Sequence, residues 1–181
     1  MKISSTVIPE VLLFEPTVHG DERGYFMETF RASDFKNKGI KLDFVQDNQS
    51  CSKKGTLRGL HYQLKFPQGK LVRVVSGEVF DVAVDLRSRS LTFGKWVGEI
   101  LSEGNKKQLW VPPGFAHGFL VLSDSAELHY KCTEYYHQED DHSLLWNDPD
   151  LAINWPTNDM EPILSEKDKF AKTFSQAMVF K

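Results

Sequence analysis

The sequence lacks several features that would place it quickly in a class. Its only two cysteines, Cys51 and Cys132, stand in no spacing typical of a metal or redox motif, so we expect reduced thiols. The longest apolar run near the N-terminus has four residues, Val11 to Phe14, which is too short for a signal peptide or a membrane span. The sequence therefore predicts a cytoplasmic protein with no membrane association.

The charge balance excludes another class of function. There are 22 Lys and Arg against 25 Asp and Glu, a formal net charge of -3 at pH 7. Nucleic-acid-binding proteins need a basic surface to neutralise phosphates, so no nucleic-acid partner is expected. The length of 181 residues predicts one domain over residues 1–181. Such a chain buries roughly 70% of its unfolded surface and needs neither a disulfide nor a structural metal.

Aromatic residues, in contrast, are abundant, with 13 Phe, 5 Tyr and 4 Trp. Short alternating runs between turn signals predict extended segments, with one short helix at 32–38 ended by Gly39. At least eight such strands indicate an all-β sandwich or closed barrel, for which the jelly roll is the natural architecture. The predicted extended segments are 24–30, 42–50, 56–64, 70–75, 79–86, 96–101, 108–111, 118–122 and 127–135.

Three connecting features refine this outline. The tripeptide Ser76-Gly77-Glu78 predicts a hairpin turn between the strands on either side of it. Residues 137–156 are polar and rich in turn signals, which indicates an ordered excursion over the surface. Near the C-terminus, Ser165 is the predicted N-cap of a short helix with Asp168 at its third position.

Several predicted strands carry polar residues opposite their apolar face. Asp81 and Asp85 alternate with Val82 and Val84, and five polar residues follow one another at 46–50. A sheet with one face in water explains this pattern. A polar barrel lumen also explains it, and the residues alone leave both interpretations open.

The segment 56–63 concentrates groups that carry chemistry. His61 lies in a strand-like stretch that also holds Arg58, flanked by glycines that allow a backbone to approach a ligand closely. A lone histidine in a strand is more often structural than catalytic. Together with Lys70, His117 and Tyr130 on neighbouring predicted strands or turns, however, it forms a candidate acid-base set.

A second motif, Pro112-Pro-Gly-Phe-Ala-His117, is similar to the second signature of the cupins. Many cupins bind a metal through two histidines and a glutamate of a first signature as well. That first signature is absent, and no His-x-His occurs anywhere in the chain. Because a catalytic metal usually needs at least three protein ligands, no metal site is expected.

In combination the motifs resemble those of the dTDP-4-dehydrorhamnose 3,5-epimerases, a family of metal-free cupins in deoxysugar biosynthesis. The resemblance extends from about Ile8 to Asp168 and implies a cupin jelly roll with short C-terminal helices, no cofactor and a homodimer whose N-terminal strands complete the partner's site. Its motifs are Asp21-x-Arg-Gly-x-Phe-x-Glu28, Gln46-Asp-Asn48, Leu57-Arg-Gly-Leu-His-Tyr-Gln63, Lys70-Leu-Val-Arg-Val-Val, Gly77-Glu-Val-Phe-Asp-Val-Ala-Val-Asp-Leu-Arg87, Pro112-x-Gly-x-x-His-Gly-Phe119, Tyr130-Lys-Cys-Thr, Trp146-Asn-Asp-Pro and Leu164-Ser-x-Lys-Asp168.

The resemblance implies an isomerase that inverts C3 and C5 of dTDP-4-dehydro-6-deoxy-D-glucose. It makes His61 the base, because an imidazole titrates near neutrality, and Asp168 the carboxylate that orients it. Tyr130 becomes the acid, because a phenol is mostly protonated at neutral pH. Lys70 faces the developing O4 enolate, which a fixed positive charge stabilises.

The same resemblance assigns the residues that hold the nucleotide. Arg23 and Arg58 suit the diphosphate because a guanidinium presents a rigid fork of donors. Gln46 and Asn48 are expected to bind the base or the sugar, and Tyr136 to stack on thymine. The further expected contacts are Glu28, Asp47, His117, Asp141 and Lys167.

Three alternatives stay open beside double epimerisation. One is a related cupin that acts on dTDP-4-keto sugars as a single-site epimerase or a ketoisomerase. Another is a cupin that binds a nucleotide sugar without catalysis. The third is a metal oxygenase, which the missing first cupin signature disfavours.

Overall fold

The computed structural model describes residues 1–40, 43–158 and 160–181. Strands dominate it, and none of its helices is long and apolar enough to cross a membrane in these ranges. The elements are β1 Lys2–Ser5, β2 Leu12–Glu15, β3 Val18–Asp21, β4 Gly24–Met27, α1 Ala32–Asn37, β5 Gln46–Lys53, β6 Leu57–Gln63, β7 Lys70–Ser76, β8 Glu78–Asp85, β9 Trp96–Ser102, β10 Gln108–Val111, β11 Phe115–Val121, β12 Ser125–Cys132, β13 Asp141–Ser143 and α2 Glu166–Lys169, with 3-10 turns at Gln138–Asp140 and Phe174–Gln176. The predicted all-β class is confirmed.

The predicted segments agree with the strands from β4 to β12 and with helix α1. One predicted segment began at Leu42, which lies outside the described residues, and the strand there starts at Gln46. Strands β1, β2, β3 and β13 were not predicted. Each has four residues or fewer, which is too short for alternation to stand out.

Two antiparallel sheets face each other. One has the order β1-β2-β10-β7-β12-β5, and the other has the order β13-β6-β11-β8-β9. Strands adjacent in sequence often lie in different sheets, which is the jelly-roll arrangement. Neither sheet closes on itself, so the architecture is the sandwich form of the predicted jelly roll. We call these the large sheet and the small sheet.

The predicted hairpin at Ser76-Gly77-Glu78 is wrong. Strand β7 pairs with β10 and β12 in the large sheet, whereas β8 pairs with β11 and β9 in the small sheet. Gly77 has a φ of +78°, a conformation that side chains disfavour, and at this point the chain steps from one sheet to the other. Two alternating runs joined by a glycine turn are found both in hairpins and where a chain crosses from one sheet to another. The local sequence therefore does not distinguish the two connections.

The space between the sheets is apolar at one end and polar at the other. On β7, Val72 and Val74 belong to the central core, and Lys70 stands at the start of the strand. On β12, Leu128 is in the same core and Tyr130 packs against its edge. Along β5, residues alternate between half-buried positions at the polar end and positions exposed to solvent. The solvated sheet face and the polar lumen predicted from the sequence are therefore both present.

The outer face of the small sheet is covered by residues from 144–158 and 160–180. The predicted ordered excursion over residues 137–156 is therefore partly at the surface, but Leu144, Leu151, Ile153 and Trp155 are buried and pack on the sheet. Leu151, Ile153 and Trp155 alternate with exposed residues, but this run is short and lies among turn signals, which hid its packing role. The residues after α2 continue the cover, with Phe180 among them.

Candidate active site

A cavity of about 200 Å³ opens at the polar end of the sandwich. Strands from both sheets supply its lining through residues near their ends. Seven residues predicted from the sequence line it: Gln46, Asn48, His61, Lys70, Tyr130, Tyr136 and Asp141. The fold therefore brings the central part of the predicted site together in one chain.

A bulge in β6 turns two functional residues to the same side. His61 lies opposite His117 of β11, and Arg58 lies opposite Phe119, so three steps on β6 match two on β11. Strict alternation would have placed Arg58 and His61 on opposite faces. Gly59 makes the bulge with a φ of +125°, and a Cβ there would lie 2.8 Å from the carbonyl oxygen of His117.

His61 is paired with the carboxylate of Asp168. The distance from His61 Nε2 to Asp168 Oδ1 is 2.6 Å, and the two side chains are 32% and 2% exposed. Burial raises the pKa of Asp168, but hydrogen bonds from His61 and Ser165 outweigh it and hold the pKa below its usual value. The carboxylate therefore stays ionised, which favours a proton on the facing nitrogen and leaves the other as a base.

Helix α2 delivers this carboxylate. Ser165 caps the helix by accepting a hydrogen bond from the backbone N–H of Asp168 at 3.2 Å, as predicted. Its hydroxyl also donates to Asp168 Oδ2 at 2.8 Å. The cap thus fixes both the backbone and the side chain of the residue that orients His61.

Tyr130 and Lys70 come from the large sheet, across the cavity from His61. Burial raises the pKa of Tyr130, and the charge of the nearby Arg58 opposes that rise. Desolvation lowers the pKa of Lys70, while Cys132 and the carboxylate of Asp141 oppose that fall. One wall therefore holds a phenol that keeps its proton and the amino group of Lys70, and the other holds an imidazole.

Charged and aromatic groups meet at the rim of the cavity. The hydroxyl of Tyr136 donates to Asp141 Oδ2 at 3.0 Å, and Lys167 forms an ion pair with the same carboxylate. Desolvation and the hydrogen bond to Asp141 raise the pKa of Tyr136. The ring of Tyr136 is about half exposed and is available for stacking.

Sequence reasoning missed the residue that holds this rim. The side chain of Gln63 donates to the carbonyl oxygens of Phe66 and Tyr135 at 2.7 and 3.0 Å, and accepts from His137 N at 2.8 Å. It is buried and uses both ends of its amide. The available signal was a polar residue two positions after His61, on the same face of β6.

His117 lies beside His61 in the strand ladder but does not line the cavity. Its Nε2 is bound to both carboxylate oxygens of Asp81, at 2.9 and 3.0 Å, and Asp81 is fully buried. The pair lies between the sheets, where an unpaired charge or polar group would be costly. It supports the wall that carries His61.

Arg58, whose Nε donates to Ser52 Oγ at 3.0 Å, does not line the cavity either, and three further predicted contacts lie away from it. The side chain of Asp47 lies on the opposite face of β5 from Gln46 and Asn48. It accepts a hydrogen bond from Lys131 at 3.0 Å on the outer face of the large sheet. Arg23 lies in the β3–β4 hairpin and binds Asp21, and Glu28, just after that hairpin, binds Arg31. The hairpin stands apart from both sheets and pairs only with itself among the described strands.

Among residues 1–40, 43–158 and 160–181, no group of three or more His, Cys, Asp or Glu side chains is arranged to hold a metal ion. The two histidines that meet in the ladder, His61 and His117, are each engaged with an aspartate instead.

Comparison with known proteins agrees with this geometry. The family model of dTDP-4-dehydrorhamnose 3,5-epimerase matches residues 5–176. The chain belongs to the dTDP-4-dehydrorhamnose 3,5-epimerase family. The enzyme of that name from Pseudomonas aeruginosa is 55% identical over 181 residues, which cover 99% of each chain.

Solved structures of this family share the whole fold. The dTDP-6-deoxy-D-glucose-3,5-epimerase of Legionella pneumophila, in complex with dTDP-4-keto-L-rhamnose, is 54% identical with a TM-score of 0.95, and covers 98% of this chain and 94% of its own. A 3'-monoepimerase from Streptomyces bikiniensis, in complex with dTDP-quinovose, is 36% identical with a TM-score of 0.88 over 95% and 87% of the two chains. The fold is therefore common to double and single epimerases.

Proposed function

We propose that this protein inverts C3 and C5 of dTDP-4-dehydro-6-deoxy-D-glucose to give dTDP-4-dehydro-L-rhamnose. The observation that carries the proposal is the pair of opposed walls, with the His61–Asp168 pair on one side of the cavity and Tyr130 and Lys70 on the other. Inversion at carbon needs a base on one face of the sugar ring and an acid on the other. Membership of the family supports the same reaction.

The first step is removal of a proton next to the ketone. The free nitrogen of His61 takes the proton from the carbon, and the electron pair of the broken C–H bond moves into the enolate at C4 and O4. Asp168 stabilises the resulting imidazolium, and the ammonium of Lys70 stabilises the negative charge on O4. A preorganised charge in a desolvated site stabilises such a transition state strongly.

The second step returns a proton from the opposite face. The hydroxyl of Tyr130 donates its proton to the carbon, and the enolate collapses to the ketone with the configuration inverted. The phenolate and the imidazolium then return to their starting protonation states by exchange with water. C3 and C5 both adjoin C4, so the same enolate oxygen and the same Lys70 serve both inversions.

The nucleotide occupies the side of the cavity nearest the rim. Arg58, on the same face of β6 as His61, binds the diphosphate. Gln46 and Asn48, in the lining of the cavity, bind the base or the sugar. Tyr136 stacks on thymine, its hydroxyl held by Asp141, and Lys167 adds a cation at the mouth. His117 supports the wall that carries His61, and Asp47 pairs with Lys131 outside the cavity.

The β3–β4 hairpin supports a homodimer. Tyr25 and Phe26 on this arm are 59% and 72% exposed, and an isolated two-stranded hairpin is marginally stable in water. We propose that the arm packs on a second copy and carries Arg23 and Glu28 to that copy's cavity. Two free thiols and a nucleotide-sugar substrate favour the cytoplasm as the compartment.

Subunit complementation tests the arm. Arg23→Ala should be inactive because its partner's cavity lacks a phosphate contact, and His61→Asn should be inactive because it lacks the base. In a mixed dimer, the cavity with an intact His61 receives an intact Arg23 from its partner. Refolding the two inactive variants together should restore activity, measured as substrate turnover, and no restoration contradicts the exchange.

The function itself is tested by turnover of the keto sugar in deuterated water, followed by NMR. Deuterium at both C3 and C5 of the product, with both centres inverted, is expected. A monoepimerase of the same fold leaves one centre unlabelled and uninverted, so label at a single carbon assigns that reaction instead. A protein that binds dTDP without any exchange contradicts catalysis altogether.

A further inference from the structure

We propose that Cys132 is a positioning residue that holds the thymine-stacking Tyr136 through a directed chain of hydrogen bonds across Asn48 and Gln46. The inference rests on the proposed nucleotide-binding role of Tyr136. It adds to the site a residue that contacts neither the sugar nor the base. The buried thiol lies in the wall of the cavity and acts on the position of Tyr136 at its mouth.

Cys132 occupies a fixed place in the large sheet. It lies directly opposite Lys70 on β7 and Gln46 on β5, two positions along the ladder from the row that holds Tyr130 and Asn48. Its side chain is fully buried and belongs to neither of the two apolar clusters that line the large sheet. Every neighbour in these two rows except Val72 carries a polar group, so the thiol is part of the polar wall.

The hydrogen bonds beyond the thiol have only one consistent direction. The backbone N–H of Tyr136 can only donate, and it donates to Gln46 Oε1 at 2.9 Å. Gln46 Nε2 therefore faces Asn48 and donates to Asn48 Oδ1 at 3.0 Å. Asn48 Nδ2 in turn faces Cys132 and donates to its sulfur at 3.5 Å. The thiol is the terminal acceptor of this chain and completes the hydrogen bonds of the two amides in these orientations.

A thiol suits this position for a second reason. Burial raises the pKa of Cys132, so the group stays neutral beside the ammonium of Lys70. A carboxylate in the same place would form an ion pair with Lys70 and draw its charge away from O4. A sulfur accepts the hydrogen bond from Asn48 while leaving Lys70 free for the enolate.

Two substitutions of similar size separate positioning from packing. Cys132→Ala removes the acceptor, and Cys132→Ser leaves a hydroxyl that accepts in its place. We expect the Ala variant to bind dTDP about fivefold more weakly, the typical effect of one lost hydrogen bond, and to raise KM by the same factor while kcat stays unchanged. The Ser variant should recover the affinity, and Cys51→Ala, at an exposed thiol, is the matched control.

A double-mutant cycle for dTDP binding, measured by calorimetry, tests the route. If Cys132 acts through Tyr136, the loss caused by Cys132→Ala disappears in a Tyr136→Ala background. Additive effects, or equal affinities for the Ala and Ser variants, overturn the inference. If the Ala variant does not fold, Cys132→Val fills the space without an acceptor and replaces it in the cycle.

These outcomes separate the inference from the proposed function. Wild-type protein that fails to turn over the keto sugar contradicts the function, whatever the Cys132 variants do. Wild-type turnover with a dTDP affinity insensitive to Cys132→Ala contradicts only the positioning role.

Discussion

Tyr130 owes its suitability as an acid to its surroundings. Burial raises the pKa of its hydroxyl, with Arg58 near enough to moderate the rise. A phenol so placed keeps its proton until a carbanion forms, and Lys70 across the strand ladder keeps the charge on O4 rather than on carbon. In the proposed mechanism, the base is the free ring nitrogen of His61 and the acid is the hydroxyl of Tyr130, on opposite walls of the cavity.

Tyr130→Phe should uncouple exchange from inversion. His61 and Lys70 are intact in this variant, so the proton next to the ketone still leaves and deuterium from solvent still enters from the side of His61. Without a donor on the opposite face, inversion should fall by about 10²- to 10⁴-fold, the usual contribution of a general acid.

NMR of the keto sugar in deuterated water measures both quantities in one sample. Tyr135→Phe is the matched control, because that exposed ring is next to the rim and does not line the cavity. Equal loss of exchange and inversion in Tyr130→Phe would assign Tyr130 to the formation of the enolate instead.

At the scale of elements, the bulge in β6 is the device that makes the site. It sets Arg58 and His61 on one face, so the residues proposed for the diphosphate and for the sugar point to the same side of the strand. The extra residue costs a regular ladder bond and is accommodated only because Gly59 has no side chain.

Gly59→Ala should therefore damage both stability and activity. The new Cβ would meet the carbonyl oxygen of His117 at 2.8 Å, and the φ of +125° is nearly closed to other residues, so β6 must move away from β11. We expect a loss of at least about 2 kcal/mol in the free energy of unfolding.

Gly55→Ala is a matched control for this change. Its φ is +76°, and a Cβ there would meet nothing within 4 Å, so it carries backbone strain without a clash. It should cost about 1 to 2 kcal/mol and leave activity intact. Urea unfolding and substrate turnover measure the two effects, and equal behaviour of the variants contradicts the role of close packing at Gly59.

How far the sequence predicts these elements depends on whether the signal is local. The alternation in β7, β8 and β12 predicts the strands themselves, and Ser165 followed by Asp168 predicts the cap of α2. The partners of a strand in its sheet are set by residues distant in sequence. The residues around Gly77 therefore predicted a hairpin at a point where the chain passes from one sheet to the other. Alternation also fails to predict that Arg58 and His61 share a face, because one inserted residue reverses the direction of the side chains that follow it.

The site shows the same limit. The resemblance to a family supplied the residues that line the cavity, whereas their packing reasons appear only in three dimensions. The signal for Gln63 is only its position on the same face as His61, and Cys132 carries none, because a cysteine in a strand is unremarkable until its partners are known. Asp47 differs from Gln46 and Asn48 only in the direction of its side chain, which the period of a strand does indicate.

For the whole molecule, a buried carboxylate far from the cavity governs acid stability. Asp85 is fully buried and accepts hydrogen bonds from Arg87, Ser90 and Thr92. Burial raises its pKa, but these bonds outweigh the rise and bring the pKa to about 2. Its ionised form is thereby tied to the folded state of the loop after β8.

The consequence for pH has a definite sign. A carboxyl whose pKa is lowered on folding stabilises the protein above its unfolded value of 3.8, and this contribution is lost as the pH falls toward about 2. The difference corresponds to about 2 kcal/mol at neutral pH. We propose that residues 1–181 unfold as one unit, so the loss should appear as one shifted transition.

Urea unfolding of the wild type and of Asp85→Asn between pH 2 and 6 measures this contribution. The variant should be less stable near neutrality and should lose less stability on acidification. Asp124→Asn, at an exposed carboxylate, is the control and should follow the wild type. If the free energy of unfolding of the variant changes with pH in parallel with that of the wild type, Asp85 does not contribute to the acid sensitivity.

The pairing of His61 with Asp168 spans 107 residues of sequence. Translation makes the imidazole early and its carboxylate late, and Asp168 reaches His61 only when α2 has docked on the finished small sheet. A partly synthesised chain therefore has no oriented base, even where its first strands have already folded on the ribosome. The order of synthesis therefore delays the orientation of the proposed base until α2 has docked on the small sheet.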